Sequence, residues 1–265
     1  MNIITPIIIV GVIGLLAGVI LAIASIVMAV PKDEKAEALE GVLPGANCGA
    51  CGYSGCSGYA AAMAKGEAQP GLCSPGGPDV AKACGEILGS GDVTMEIKTA
   101  VVRCSGNYEN TGNKMEYDGI PSCGAAVALA GGPAECRFGC MGLGDCVAAC
   151  EYGAVRVVNG MAKVDPRLCK ACGKCVAACP KGIIKLIPLK TQAVVRCASC
   201  DKGKDVMKVC KVGCIGCMKC VKTCAFDAIH VTNSLAEVDP AKCTGCGQCA
   251  EACPRHIIEM LRISN

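Results

Sequence analysis

CKACGKCVAACP, residues 169–180, spaces four cysteines as CxxCxxCxxxCP, and CTGCGQCAEACP at residues 243–254 repeats that spacing. A cubane iron–sulfur cluster needs three thiolates converging from one tight loop and a fourth arriving from elsewhere. This spacing supplies both. In two-cluster bacterial ferredoxins the first three cysteines of one run hold one cluster, and the fourth serves the cluster of the partner run. Each run therefore requires a partner upstream.

The partners are Cys136, Cys140, Cys146 and Cys150 before the first run, and Cys210, Cys214, Cys220 and Cys224 before the second. Each of the eight cysteines of the first half, from Cys136 to Cys179, finds another 74 residues later, as Cys136 finds Cys210. The chain thus contains a duplicated two-cluster module.

Twenty-six cysteines in 265 residues admit disulfides, zinc sites or iron–sulfur clusters. Disulfide scaffolds are short secreted domains and give no reason for a repeated CxxCxxCxxxCP. Zinc sites use paired CxxC units without a third cysteine at the next interval. Clusters in a reducing compartment are the remaining reading. Five tyrosines, two phenylalanines and no tryptophan cannot fill several ordinary cores, so clusters must serve as cores, with folding coupled to their insertion. Five [4Fe–4S]²⁺ centres with four thiolates each would turn the formal charge of +3 into about −7. No basic motif with interleaved aromatics supports nucleic-acid binding.

Residues 3–30, IITPIIIVGVIGLLAGVILAIASIVMAV, carry no charge and are long enough to cross a bilayer once as a helix. Lys32 and Lys35 follow this stretch and no Lys or Arg precedes it, which puts the rest of the chain on the cytoplasmic side of the cell membrane. No basic n-region marks it as a cleaved signal. Gly14 and Gly18 form a small-xxx-small face for a second helix, although glycine is also simply common in membrane helices. Residues 31–43 read as a charged juxtamembrane linker. In PGANCGACGYSGCSGYAAAMAKGEAQPGLCSPGG, three cysteines in a Gly-rich loop, a helix over 57–65 and a returning fourth cysteine make one closed site of Cys48, Cys51, Cys56 and Cys73. Cys84 follows on an expected helix as a buried thiol.

PGANCGACGYSGCSGYA, ECRFGCMGLGDCVAAC and the two CxxCxxCxxxCP runs, behind an N-terminal apolar span, resemble the B subunits of Rnf complexes over essentially the whole chain. The resemblance implies an iron–sulfur electron-transfer subunit of a ferredoxin-oxidising, Na⁺- or H⁺-translocating membrane assembly. It implies soluble ferredoxin as donor and other membrane subunits, some flavin-bearing, as partners. NAD⁺ and a membrane carrier or cytochrome stay open as acceptors. Rival readings are a polyferredoxin subunit of a hydrogenase or quinone-linked reductase, and a membrane redox sensor. No dinucleotide loop or other catalytic constellation is visible, and His230 and His256 fall on expected strands.

The expected fold is α+β: an anchor over 1–30, a linker over 31–43, a small 4Fe–4S domain over 44–90, and tandem two-cluster ferredoxin modules over 91–190 and 191–265. Thr99 to Cys104 reads as a strand, followed by a polar insertion to about Gly132. Val155–Val158 and Met161–Val164 around Asn159-Gly160 read as a hairpin, repeated in AIHVTNSLAEV. The first module's sets are Cys136, Cys140, Cys146 with Cys179, and Cys150 with Cys169, Cys172 and Cys175. The first of these departs from regular loop spacing, which the resemblance accommodates and geometry alone would not predict. The second module's sets are Cys214, Cys217, Cys220 with Cys253, and Cys224 with Cys243, Cys246 and Cys249. The internal repeat offers Cys210 in place of Cys217, and tight-loop spacing favours Cys217. Five clusters follow. A sixth is open if four of Cys84, Cys104, Cys123, Cys197, Cys200 and Cys210 converge, against the alternative of buried thiols. Residues 191–265 hold ten Lys or Arg against seven Asp or Glu, with Lys202, Lys204, Lys208, Lys211, Lys219 and Lys222 close together. They form either a docking patch for an acidic ferredoxin or a face that screens the module's own clusters.

Overall fold

The computed structural model describes residues 4–27, 33–91 and 93–261. Helix α1 (Ile4–Val27) carries no charge. Its side chains are described over residues 9–24, where the large ones are exposed all round, from Val19 at 48% to Leu21 at 70%. Among the described residues no helix is long and apolar enough to cross a membrane. The stretch of α1 whose side chains are described, residues 9–24, reaches only about 24 Å at 1.5 Å per residue. The ends of the span expected over 1–30 lie outside the described residues.

Helix α2 (Glu34–Val42) starts where Asp33 accepts the Lys35 N–H at 3.0 Å and places Glu34 and Glu37 in its first turn. The segment expected to be a linker is instead part of a core. Leu39 is fully buried and Leu43 nearly so, packed with Tyr59, Ala60 and Met63 of α3 (Cys56–Ala64). Helix α4 (Gly77–Leu88), with Pro78 in its first turn and Gly89 as a left-handed C-cap, closes the same core through Ala81 and Cys84. Cys84 is buried, as expected.

The two ferredoxin modules follow with matching order. In the first, β1 (Lys98–Val102), α5 (Cys123–Ala128), α6 (Asp145–Ala148), β2 (Val155–Val158), β3 (Met161–Val164), α7 (Lys174–Ala177) and β4 (Ile184–Pro188) succeed one another. The second has β5 (Ala193–Val195), α8 (Gly203–Val209), α9 (Lys219–Thr223), β6 (Ile229–Thr232), β7 (Leu235–Val238), α10 (Gln248–Glu251) and β8 (Ile258–Met260). Opening and closing strands pair antiparallel, Val102 opposite Ile184 and Val195 opposite Ile258. The central strands form the expected hairpins, Val155 opposite Val164 and Ile229 opposite Val238. Both hairpin turns hold two left-handed residues, Asn159 and Gly160 or Asn233 and Ser234, the conformation a tight right-twisted hairpin needs. His230 lies on β6, whereas His256 sits before β8 in a left-handed turn rather than on a strand.

The cores are thin. Val102, Val155, Ile183 and Ile184 pack with Cys104, Cys146 and Cys175 in the first module. Val195, Ile229, Leu235 and Ile258 pack with Cys197, Cys214, Cys220 and Cys253 in the second. Thiols occupy the places that large side chains fill in ordinary domains.

Candidate iron–sulfur sites

In the N-terminal domain Asn47 turns the chain into the ligand loop with φ 44°, and its side-chain oxygen accepts the Cys56 N–H at the start of α3 at 2.8 Å. Cys73 returns beside it, held by Tyr59, whose hydroxyl accepts the Leu72 N–H at 3.1 Å and donates to the Gln69 carbonyl at 2.8 Å. Burial pushes the Cys73 thiol up, and the neighbouring thiols of Cys56, Cys48 and Cys51 push the same way. The four cysteines expected to act together are thus brought together.

The first module presents two thiol-lined cavities. One is lined by Cys150, Cys169, Cys172 and Cys175, with Val155 and Leu186, which is the expected set. Burial, then Cys169, Cys172 and Cys150, raise the Cys175 thiol to about 11. Cys169 accepts backbone N–H groups from Ala100 at 3.3 Å and Ala171 at 3.4 Å. The other cavity is lined by Cys123, Cys140, Cys146 and Cys179, with Val157, Ile183 and Ile184. Burial, then Cys140, Cys123 and Cys179, raise Cys146 to about 12.

Cys123 stands where Cys136 was expected. The reason lies in the loop: Leu143 occupies the position equivalent to Cys217, so the loop offers Cys140 and Cys146 without the thiol between them. Helix α5 supplies it from the insertion. Asp145 anchors that helix, its carboxylate accepting the N–H groups of Cys123 and Gly124, both at 2.9 Å, and the Ser122 hydroxyl at 3.0 Å. Cys136 lies instead beside Cys210 on a separate cavity. The spare cysteine in the insertion and the gap at 143 were signals enough to find this exchange.

In the second module Cys224, Cys243, Cys246 and Cys249 line one cavity with Ile229, Val238 and Met260. Around Cys220, burial and then the thiols of Cys214, Cys253 and Cys217 raise the group to about 11. Cys217, not Cys210, completes this set. Gly142 and Gly216, at φ 71° and 63°, carry the two equivalent loops past the hairpin turns; a Cβ on Gly142 would meet the Gly160 carbonyl oxygen at 2.5 Å.

Among the described residues no three His, Cys, Asp or Glu side chains converge on a single metal ion. A cubane carries each thiolate on a different iron, so its ligand sulfurs stand farther apart than those around one ion. The donor sets are all soft thiols, lie against apolar walls and accept backbone N–H groups, and these features fit iron–sulfur clusters. Raised thiol pKa values mean that loading must expel protons from buried groups, coupling site formation to folding.

The sets also adjoin one another. Tyr152, on the wall of the Cys172 cavity, is raised by burial and then by the thiols of Cys172 and Cys48. Cys175 is near enough to act on Cys146. The two sets of the second module share one core.

Comparison with known proteins is consistent with this arrangement. Residues 43–75 match the family described as "Putative Fe-S cluster", residues 162–185 a 4Fe-4S binding domain, and residues 213–257 a 4Fe-4S dicluster domain. Over 97% of its length the chain is 42% identical to the B subunit of the Na⁺-translocating ferredoxin:NAD⁺ oxidoreductase complex of Acetobacterium woodii, covering 77% of that protein. It is 41% identical to the B subunit of the ion-translocating oxidoreductase complex of Methanosarcina acetivorans, over 93% of this chain and 94% of that one. The B subunit of the proton-translocating ferredoxin:NAD⁺ oxidoreductase complex of Clostridium ljungdahlii is 40% identical over 91% of this chain and 86% of its own.

Proposed function

We propose, from the premise that this chain belongs to the family of B subunits of ion-translocating oxidoreductase (Rnf) complexes, that it conducts electrons from reduced ferredoxin to partner subunits of a cation-translocating membrane complex. The observation that carries the reading is that four-thiol sets adjoin within each half of the chain: the Cys48 set approaches Cys172, Cys175 approaches Cys146, and the two sets of the second module share one core. Thiolate-bound cubanes supply one-electron exchange over a wide range of potential.

The ligands are proposed to be Cys48, Cys51, Cys56 and Cys73; Cys150, Cys169, Cys172 and Cys175; Cys123, Cys140, Cys146 and Cys179; Cys214, Cys217, Cys220 and Cys253; and Cys224, Cys243, Cys246 and Cys249. Around them the chain's own groups exclude water with Val and Ile side chains and aim N–H groups at sulfur, as Ala162 does at Cys140 (3.5 Å) and Ala228 at Cys224 (3.4 Å). Such bonds stabilise the more reduced, more negative state and so tune each site.

The C-terminal module is the proposed entry. Cys217 and Cys246 are exposed there, beside exposed Met207, Met218 and Phe226 and the cationic Lys202, Lys204, Lys208, Lys211, Lys219 and Lys222. An acidic ferredoxin fits this mixture of charge and apolar surface. The exit is at the Cys48 set, next in sequence to α1. That helix, at about 36 Å for its full length, is proposed to be a single-pass anchor. Its apolar side chains described over residues 9–24 lie open, and Gly11, Gly14 and Gly18 have nothing within 4 Å of an added Cβ, leaving a face for partner helices.

Anoxic isolation of the chain from native membranes tests the proposal. Multi-span subunits with bound flavin should copurify, and reduced ferredoxin should bleach the visible absorbance of the clusters. Isolation without partners, or zinc in place of iron and sulfide, overturns it.

A further inference from the structure

The cavity that takes Cys136 and Cys210 also takes Cys104 and Cys197, so four thiols meet where the two modules touch. Each module contributes two. Cys104 and Cys197 each follow an arginine just past an opening strand, in the repeated Val-Val-Arg-Cys, and Cys136 and Cys210 are the 74-residue repeat pair. None of the four lines the other three cavities described above, save that Cys140 and Cys214 approach them from the neighbouring sets. All but Cys136 are buried.

The surroundings are those of the other sets. Cys104 accepts the Gly106 N–H at 3.3 Å and the Cys140 N–H at 3.5 Å; Cys197 accepts those of Ser199 at 3.5 Å and Cys214 at 3.4 Å. Glycines adjoin three of the sulfurs: a Cβ on Gly106 would lie in contact with Cys104 Sγ at 3.5 Å, one on Gly139 with Cys136 Sγ at 3.7 Å, and one on Gly213 with Cys210 Sγ at 3.7 Å. Arg103 and Arg196 stand on the wall, each paired with a carboxylate, Glu237 and Glu259, and Arg255 donates to the Cys210 carbonyl at 2.6 Å. Guanidinium groups therefore adjoin a place where four thiolates around a [4Fe–4S]²⁺ core would leave a net charge of about −2.

The seam is built to hold these parts in register. Lys211 N–H donates to the Asn110 carbonyl at 2.8 Å, Thr111 hydroxyl to the Val209 carbonyl at 2.8 Å, and Arg196 to the Val102 carbonyl at 2.8 Å. Arg103 lies 3.6 Å from Glu237 across the same seam.

We propose that Cys104, Cys136, Cys197 and Cys210 hold one further four-iron cluster, shared between the two ferredoxin modules. The inference rests on the iron–sulfur reading above. It makes the modules one continuous series, since Cys140 and Cys214, each the first cysteine of its loop, touch the shared site from either side. Twenty-four of the 26 cysteines are then engaged, leaving Cys84 and Cys200.

The test is iron and acid-labile sulfide per full-length chain, prepared anoxically in detergent. Wild type should hold about 24 irons, the Cys136→Ala/Cys210→Ala variant about 20 with sulfide falling in parallel, and Cys84→Ala about 24. Wild type at about 20, or a variant equal to wild type, overturns the shared site. A difference of about two irons overturns its four-iron form. Where the variant fails to fold, the wild-type content alone separates the two counts. Zinc without sulfide in wild type would instead sink the broader reading.

Discussion

Replacing Gly142 with alanine should loosen the Cys140 set far more than the same change two residues on. Gly142 and Gly144 are both left-handed, at φ 71° and 89°, so each alanine carries backbone strain of about 1 kcal/mol. The difference is space. The added methyl at 142 would lie 2.5 Å from the Gly160 carbonyl oxygen, whereas nothing lies within 4 Å of one at 144. The hairpin turn must retreat by most of an ångström, and the same hairpin carries the Ala162 N–H that bonds Cys140 Sγ. Clash and weakened bond add about 1–3 kcal/mol, giving about 2–4 kcal/mol at 142 against about 1 kcal/mol at 144. If iron leaves through local opening, its loss to a chelator accelerates about 30-fold to several-hundred-fold in Gly142→Ala, and about fivefold in Gly144→Ala. The assay is anoxic chelation of the detergent-solubilised chain, followed by absorbance. Rates for the two variants within threefold of each other would refute the reasoning.

Three further outcomes are expected. Cys123→Ala should lower iron by between about one and about four per chain, and adding Leu143→Cys should restore it by recreating the regular loop; iron unchanged in the single variant would return the ligand role to another thiol. Tyr59→Phe orphans the Leu72 N–H and the Gln69 carbonyl beside Cys73, and should destabilise the N-terminal domain by about 1–3 kcal/mol, read as faster hydrogen exchange at residues 72 and 73. Changing Lys208, Lys211 and Lys219 to glutamine should slow ferredoxin oxidation about tenfold at low salt and less than about threefold at high salt; a loss independent of salt would remove these lysines from the docking surface.

The modules were legible because a cluster loop leaves a rigid print: the 74-residue spacing recurs in the structure, β2 at 155 with β6 at 229 and β4 at 184 with β8 at 258. The exchange of Cys123 for Cys136 was not read, because Cys123 lies in an insertion with no counterpart in the second module, where α8 takes its place. Repeat logic ranks such a residue last. The opposite error befell residues 31–43, whose charges suggested a solvated spacer. One face of α2 holds Leu39 at zero exposure, and charges on the other faces hide that stripe in so short a helix. The four-thiol seam drew on cysteines that the sequence left over, since their convergence depends on how two modules meet and not on spacing within either.

Each module is fastened by pairing its opening strand with its closing one, and this sets a timetable for biogenesis. The Cys48 set has its last ligand at Cys73 and its core closed by α4, so it is complete while most of the chain is still unmade. The first module waits for residue 188, the shared seam for Cys210, and the last set of the series for Cys253. As a ribosome delivers the chain from its N-terminus, the sets become complete in order outward from the end next to α1, and a chain truncated between α4 and β8 leaves a correctly begun but unfinished conductor.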